Sequence, residues 1–272
     1  MIRPVPVLHI QSLDDPRLAP YRNLKERDLA REGDRFIAEG ENLVKRLLAS
    51  RLKTESVLIA DRHVAELSPL VPADIPLFVA PAQVVNGILG YKFHSGVMAV
   101  GVRGKSPTVD EIMTAALAQA GPVTLVICPE IEKTDNLGAM IRIAAAFGAT
   151  AMILGERSCD PFFRQSVRVS MGTAFYLPIV RSDDLARDLR RLRDRHAVQL
   201  IATVLDDAAE NLDTVRRPPR LGILFGNEAQ GLSPEHLALC DRRVTIPMKL
   251  GTDSLNVAVS AGIFLYHLTR GA

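Results

Sequence analysis

The chain has 272 residues, 47% of them hydrophobic and 24% charged, with no Trp; this composition supports a substantial buried core and excludes a disordered chain. Its 33 Lys and Arg against 31 Asp and Glu leave a formal charge of +2, so bulk charge neither demands nor excludes a polyanionic partner. Cys128, Cys159 and Cys240 form no CxxC pair, which argues against a disulfide framework or a zinc knuckle and for a reducing compartment.

Pro4 and Pro6 fall where a signal peptide places an unbroken apolar run. No stretch approaches about 18 uninterrupted apolar residues, so the expectation is a soluble cytoplasmic protein without a membrane span. At roughly 100 to 200 residues per domain, the length fits one large domain or two modest ones.

The first twenty residues are punctuated by Pro and Asp and read as an extended N-terminal segment. Tyr21 to Glu32 alternates bases and acids at helical spacing, as an exposed helix does. Phe36 to Gly40 reads as a short strand, followed by a helix through Leu43, Val44, Leu47 and Leu48 and by strands at Ser56 to Ala60, Leu77 to Ala80 and Val97 to Val102. These elements make a small α/β domain. The pattern loosens around Val102 to Pro107, the best linker candidate, before a helix over Ile112 to Ala120.

Val123 to Cys128 is a continuous apolar run between Pro122 and Pro129, the pattern of a buried strand. Helices over Leu137 to Phe147, Arg164 to Ser170 and Asp183 to His196 then alternate with strands at Ala151 to Leu154, Tyr176 to Val180 and Gln199 to Val204. Strands at Leu221 to Phe225 and Val244 to Ile246, a short helix opening at Ser233, and a final helix from Asn256 to Thr269 complete the chain. Such alternation specifies an α/β fold with a mostly parallel sheet covered on both faces.

Open α/β sheets bind ligands at the carboxyl ends of their strands, and three loops there carry polar residues. In the first, Asp135 to Arg142, Asp135 or Asn136 caps the following helix, and a loop-to-helix transition lets Asn136 and Arg142 face one site. The second, Phe225 to Ser233, brackets a polar stretch with Gly226 and Gly231, exposing main-chain groups to a ligand. The third runs from Ile246-Pro247-Met248 to Ser254-Leu255-Asn256-Val257-Ala258. Each loop alone also fits an ordinary turn or helix cap; their recurrence in one parallel-sheet unit favours a site.

The set Asn136-Leu137-Gly138-Ala139-Met140-Ile141-Arg142, Gly226-Asn227-Glu228-Ala229-Gln230-Gly231-Leu232-Ser233 and Ile246-Pro247-Met248 with Ser254-Leu255-Asn256-Val257-Ala258 resembles, in order and setting, the three motifs of the SpoU/TrmH family of RNA ribose 2'-O-methyltransferases in the SPOUT class. The N-terminal part, through Phe36 to Val44 and His94-Ser95-Gly96-Val97, resembles the small L30e-like RNA-binding domain of these enzymes. Two departures stand out. An Asp-Pro dipeptide is frequent just before the first-motif Asn, where this chain has Glu132-Lys133-Thr134-Asp135, and Ser95 stands where Gln is frequent.

The resemblance implies a C-terminal trefoil-knot domain over 121–272, joined through a linker and helix at 106–120 to an L30e-like domain at 21–105 that follows a 1–20 extension. It implies S-adenosylmethionine (SAM) bound through Gly226, Asn227, Gly231, Ile246, Met248 and Leu255, with Thr203, Val204 and Leu205 lining the site. It further implies a catalytic Arg142, acting as phosphate clamp or as base, held with the nucleotide by Asn136, Glu228, Ser254 and Asn256. Glu228 is the expected charge partner of that guanidinium.

The implied substrate is structured RNA, with 23S rRNA ahead of tRNA; a catalytically silent RNA-binding or ribosome-assembly factor is the alternative from another class. No metal is implied, and the six His have no HExxH spacing. The expected RNA contacts are Arg22, Lys25, Arg35, Lys45, Arg46, Arg164 and Arg168. Residues 1–53 hold 11 basic and 8 acidic side chains, a mild excess. A homodimer through the knotted domain is also implied. The apolar positions Val257, Ala261, Phe264, Leu265 and Leu268 of the last helix suit either the core or that interface.

Overall fold

A computed structural model describes residues 6–22, 34–89, 95–250 and 254–270. Its contacts divide the chain into one unit of Met1–Lys105 with Phe162–Tyr176 and a second of Ser106–Pro161 with Leu177–Ala272.

The first unit is built on a five-stranded sheet of β1 (Val7–His9), β2 (Arg35–Glu39), β3 (Lys53–Ala60), β4 (Leu77–Ala80) and β5 (Val97–Val102), in the order β1-β4-β3-β5-β2. Strand β5 runs antiparallel to β2 and β3, and the other pairs are parallel. Successive side chains on a strand point to opposite faces, and the two cores follow that alternation. Ile37, Leu58, Phe78, Met98 and Val100 pack on one face with Tyr21. Phe36, Ala38, Val57, Ile59, Val79 and Ala99 pack on the other with Leu43, Val44 and Leu47 of the Glu41–Leu48 helix.

The extended segment at the N-terminus is thus part of this sheet, since Val7–His9 pairs with β4 and Ile10 is fully buried. Of the helix expected from Tyr21 to Glu32, a turn over Ala19–Arg22 is seen and the remainder lies outside the described residues. Tyr21 is buried, and its hydroxyl meets the Ser56 hydroxyl at 2.8 Å.

A later stretch of chain completes this unit. Phe36 stands opposite Gly101 on β5, where an added Cβ would lie 2.2 Å from the ring, so only Gly leaves room for it. The ring then meets Phe162 at 4.9 Å and Phe175 at 5.4 Å between centroids. Arg164, on the short Arg164–Val169 helix, pairs with Glu39 at the end of β2. Residues 162–176 therefore belong to the first core although the sequence places them inside the second domain.

The second unit carries a seven-stranded sheet of β6 (Val123–Cys128), β7 (Ala151–Leu154), β8 (Ile179–Arg181), β9 (Gln199–Thr203), β10 (Glu210–Asn211), β11 (Arg220–Leu224) and β12 (Arg242–Thr245). Its order is β10-β12-β9-β11-β6-β7-β8, and every pair is parallel. All six residues of β6 are buried, as a central strand covered on both faces requires. The chain leaves β6 for β7 and β8 on one side and returns to β9, β12 and β11 on the other. The switch point lies between β6 and β11, where open α/β sheets leave a crevice at their carboxyl ends.

The helix expected over Ile112 to Ala120 runs from Val109 to Leu117 and is started by Thr108 and Glu111, each bonding to the other's main-chain N–H. In the Val257–Thr269 helix, Ala261, Phe264, Leu265 and Leu268 are buried and serve the core. Val259, Ile263 and Tyr266 are exposed, which makes this helix apolar on two faces. Val257 is only partly buried. All three Cys are free thiols. No helix among the described residues is long and apolar enough to cross a membrane.

The cluster around Phe36 tests how the first unit is held together. Phe36→Ala is expected to destabilise it by about 3–5 kcal/mol, the usual cost of emptying a buried aromatic site. Urea unfolding followed by circular dichroism reads this directly, and a loss below about 1 kcal/mol would contradict the packing described.

Candidate functional site

A cavity of about 670 Å³ opens at the carboxyl ends of β9 and β11 and at the turns after β6 and β12. Every residue expected to bind a cofactor borders it: Thr203, Val204, Leu205, Gly226, Asn227, Gly231, Ile246, Met248 and Leu255. Asn136, Glu228, Ser254 and Asn256 border it as well. Arg142 does not.

The reason lies in the helix that carries it. The first loop is already helical from Thr134, with Lys133 as N-cap, so neither Asp135 nor Asn136 caps it. Six residues of continuous helix turn Arg142 about 240° around the axis from Asn136. Arg142 is exposed and carries no hydrogen bond or ion pair among the described residues. Glu228 is consequently not its charge partner in this chain.

Glu228 is engaged elsewhere. Its Oε1 accepts a bond from Asn136 Nδ2 at 2.9 Å, and its carboxylate accepts from the main-chain N–H groups of Glu132 and Lys133, each at 3.4 Å. Asn136 Oδ1 in turn accepts from Asn256 Nδ2 at 2.9 Å. Asn256 is the N-cap of the last helix, accepting from the N–H of Ala258 at 2.9 Å and of Val259 at 3.4 Å. One chain of hydrogen bonds thus joins all three loops, with the nearly buried Asn136 in the middle. Burial pushes the Glu228 carboxyl up, but the bonds from Asn136 and the backbone outweigh it and hold the group below its ordinary value.

The second loop is shaped by its glycines. A Cβ on Gly226 would lie 2.4 Å from the carbonyl carbon of Gly231, so the strand end and the returning loop touch backbone to backbone. Asn227 and Gly231 exchange two main-chain bonds of 2.9 Å, and Asn227 Oδ1 accepts from the N–H groups of Ala229 and Gln230. Gly231 adopts φ +70°, a conformation Gly reaches without steric cost. Thr203 Oγ1 donates to the Leu224 carbonyl at 2.9 Å, tying β9 to β11 beside the cavity.

Sequence reasoning missed Lys133, Leu237, Ser260 and Phe264, which border the cavity. Ser260 and Phe264 follow Asn256 at intervals of four, one face of the last helix, and that spacing was available to find them. Glu132 and Lys133 lie between β6 and the first motif; the Glu132 carboxylate accepts from Asn227 Nδ2 at 3.2 Å, and Lys133 lines the cavity.

The expected RNA contacts are largely engaged within the first unit. Arg22 bonds the Asp15 carbonyl at 3.1 Å, Arg35 pairs with Glu55 at 2.7 Å, Arg46 donates to the Met171 carbonyl, and Arg164 pairs with Glu39. Lys45 lies 2.5 Å from Glu41 and 3.0 Å from Glu66, two members of the one potential metal-ligand group among the described residues, with His63. Its ammonium already supplies the positive charge there. Arg168 is exposed, and Lys25 lies outside the described residues.

Two changes probe this site. Gly226→Ala is expected to spread the second loop and destabilise the second unit, read as a lower urea midpoint. Glu228→Gln keeps the side chain's shape and removes its charge. Because the folded-state pKa is lowered, the stability this carboxylate adds is present above its unfolded value of about 4.3 and is lost as the pH falls through the folded value. The wild type should therefore exceed E228Q in urea midpoint near neutrality and approach it under acid; a gap unchanged between pH 7 and 3 would contradict the assignment.

Comparisons with known proteins agree with this geometry. The model of the SpoU rRNA Methylase family matches residues 123–266. A protein of Mycobacterium tuberculosis named as an uncharacterised tRNA/rRNA methyltransferase is 34% identical, covering 94% of this chain and 90% of its own length. The 23S rRNA guanosine 2'-O-methyltransferase RlmP of Bacillus subtilis is 26% identical over 95% of this chain and 98% of its own. The crystal structure of an AdoMet-bound rRNA methyltransferase from Sinorhizobium meliloti superposes with a TM-score of 0.80 at 28% identity, covering 96% of this chain and 97% of that one. With three motif loops joined around one cavity at the switch point of a parallel sheet, this chain belongs to the SpoU rRNA methylase family.

Proposed function

We propose that the protein is a SAM-dependent methyltransferase that methylates a ribose 2'-OH in structured RNA, with 23S rRNA as substrate. The observation that carries this reading is the convergence of all three motif loops on one cavity through the Asn256–Asn136–Glu228 chain. The names of the Bacillus subtilis and Sinorhizobium meliloti relatives support the rRNA substrate and the cofactor.

The residues present suit SAM. The cavity falls in the range of roughly 300–1,000 Å³ typical of small-molecule sites. Gly226 allows main-chain groups to approach a ligand, while Ile246 and Leu255 offer apolar walls beside them. SAM supplies an electrophilic methyl group on a sulfonium; everything else in the reaction is orientation and removal of a proton from a weakly acidic alcohol. Thr203, Val204, Leu205, Gly226, Asn227, Gly231, Ile246, Met248 and Leu255 would hold the cofactor.

Asn136, Glu228 and Asn256 fix the loops, and Ser254 stands at the rim for the nucleotide. Glu228, held below its ordinary pKa, is a poor acceptor for the ribose proton and acts by position. Arg142, exposed, outside the cavity border and without a partner among the described residues, is open to a phosphate of the RNA and would act as the clamp that positions the ribose. The first unit is the RNA-binding module, of L30e-like type, and Arg168 is one of its exposed cations. The exposed Val259, Ile263 and Tyr266 support a homodimer through the second unit, whose chain path is the family's trefoil knot. The setting is the cytoplasm, where the rRNA is.

Isothermal titration with SAM and methyl transfer to total RNA test this reading. Arg142→Ala is expected to lower methyl transfer about 10²-fold, the scale of losing substrate positioning, while SAM affinity is kept. Absence of SAM binding by the wild type, or full activity of R142A, rejects it. Mapping of nuclease-resistant dinucleotides in RNA from deletion and parent strains identifies the methylated site. Loss of a tRNA site in place of an rRNA site would move the substrate, and loss of none would favour a silent assembly factor.

A further inference from the structure

We propose that Lys133 is a substrate-binding residue, its ammonium taking a phosphate of the RNA strand beside the target ribose. The inference rests on the methyltransferase reading above and extends it to a residue outside the three motifs. Lys133 is the N-cap of the Thr134–Ala146 helix and makes no side-chain capping bond. That position favours Ser, Thr, Asp or Asn, whose oxygen accepts an orphan N–H and whose negative charge complements the helix dipole. Lysine offers neither and sets a positive charge against the positive end of the helix. Thr134 and Asp135, both good capping types, follow at once, yet the helix begins ahead of them. Breaks in local preference of this kind are expected at functional or strained positions.

The neighbouring acids do not explain it. The Glu228 carboxylate is directed at Asn136 Nδ2 and at the main-chain N–H of Lys133, not at its ammonium. The Glu132 carboxylate is bonded by Asn227. Lys133 is exposed at the rim of the cavity, and among the described residues its ammonium has no ion pair.

Strand order selects which anion it meets. The proposed cofactor contacts follow β9, β12 and β11, whereas Lys133 follows β6, the next strand along, and stands at the β6 edge of the cavity they share. Lys133 therefore flanks the nucleotide side, on the helix that also carries Arg142.

The test compares wild type, K133A and K133R in SAM titration and in binding of a 23S rRNA transcript between 50 and 200 mM salt, about the range over which phosphate contacts are resolved. K133A is expected to weaken RNA binding roughly fivefold, the scale of one exposed ion pair. It should also reduce the slope of log affinity against log salt by about 0.7–0.9, the signature of one lost phosphate contact. SAM affinity should be unchanged, and K133R should restore both RNA values. RNA binding and salt slope unchanged in K133A, or SAM affinity lost in their place, overturns the proposal. Wild type that fails to bind SAM rejects the underlying methyltransferase reading, a separate outcome from either result for K133A.

Discussion

The site depends on the hydrogen bonds that run from the N-terminus of the last helix through Asn256 and Asn136 to Glu228. Each amide in this chain donates from its nitrogen and accepts at its oxygen, so the direction is fixed from end to end. It starts at the N–H groups of Ala258 and Val259, where the helix dipole is positive, and ends on a carboxylate. Aspartate at either Asn position would lose the donor, and at position 136 it would also set a second carboxylate against Glu228. The arrangement also separates the two roles that acids play in such sites. A carboxylate satisfied by this many donors stabilises geometry and holds its proton weakly.

The sheet gives this chain something to hold. Strands β6 and β11 are adjacent and parallel, and the loops leaving them carry Asn136 and Glu228. Backbone contact at Gly226 keeps the second loop folded over the strand end, and the Thr203 bond to Leu224 brings in the neighbouring strand. The third loop arrives through Asn256, whose capping role fixes both the start of its helix and the reach of its amide. One side chain that terminates a helix and also crosses to another loop couples local structure to site geometry.

Much of this was visible in the residues. Val123 to Cys128 matches β6 at both ends, because a central parallel strand is apolar throughout and proline bounds it on each side. All the cofactor positions that the family resemblance implies meet at one cavity, because the ordered loops that carry the resemblance are local sequence signals. What failed was the content no local pattern carries. The start of the Thr134–Ala146 helix was hidden because lysine gives no N-cap signal, and this misplaced the direction of Arg142. The two residues of β10 are too few to show a period. Most of the arginines singled out for RNA meet acids or carbonyls that are remote in sequence, such as Glu55, Glu39 and Met171, so their engagement could not be read from charge spacing. The assignment of Phe162 and Phe175 to the first core is likewise a tertiary fact, since aromatic residues in a short connecting stretch do not name the sheet they cover.

That return of residues 162–176 to the first unit gives the protein a timetable. The chain passes between the units after Lys105, after Pro161 and after Tyr176, so the first unit is not contiguous. During synthesis at roughly 5–20 residues per second, about 4 to 14 s separate the emergence of residue 105 from that of Phe175. Through that interval Phe36 and its neighbours on β2 lack their aromatic cover, and β6 and β7 are already being made. The two units therefore cannot mature one after the other as beads on a string; the ordering of the first waits on the early strands of the second.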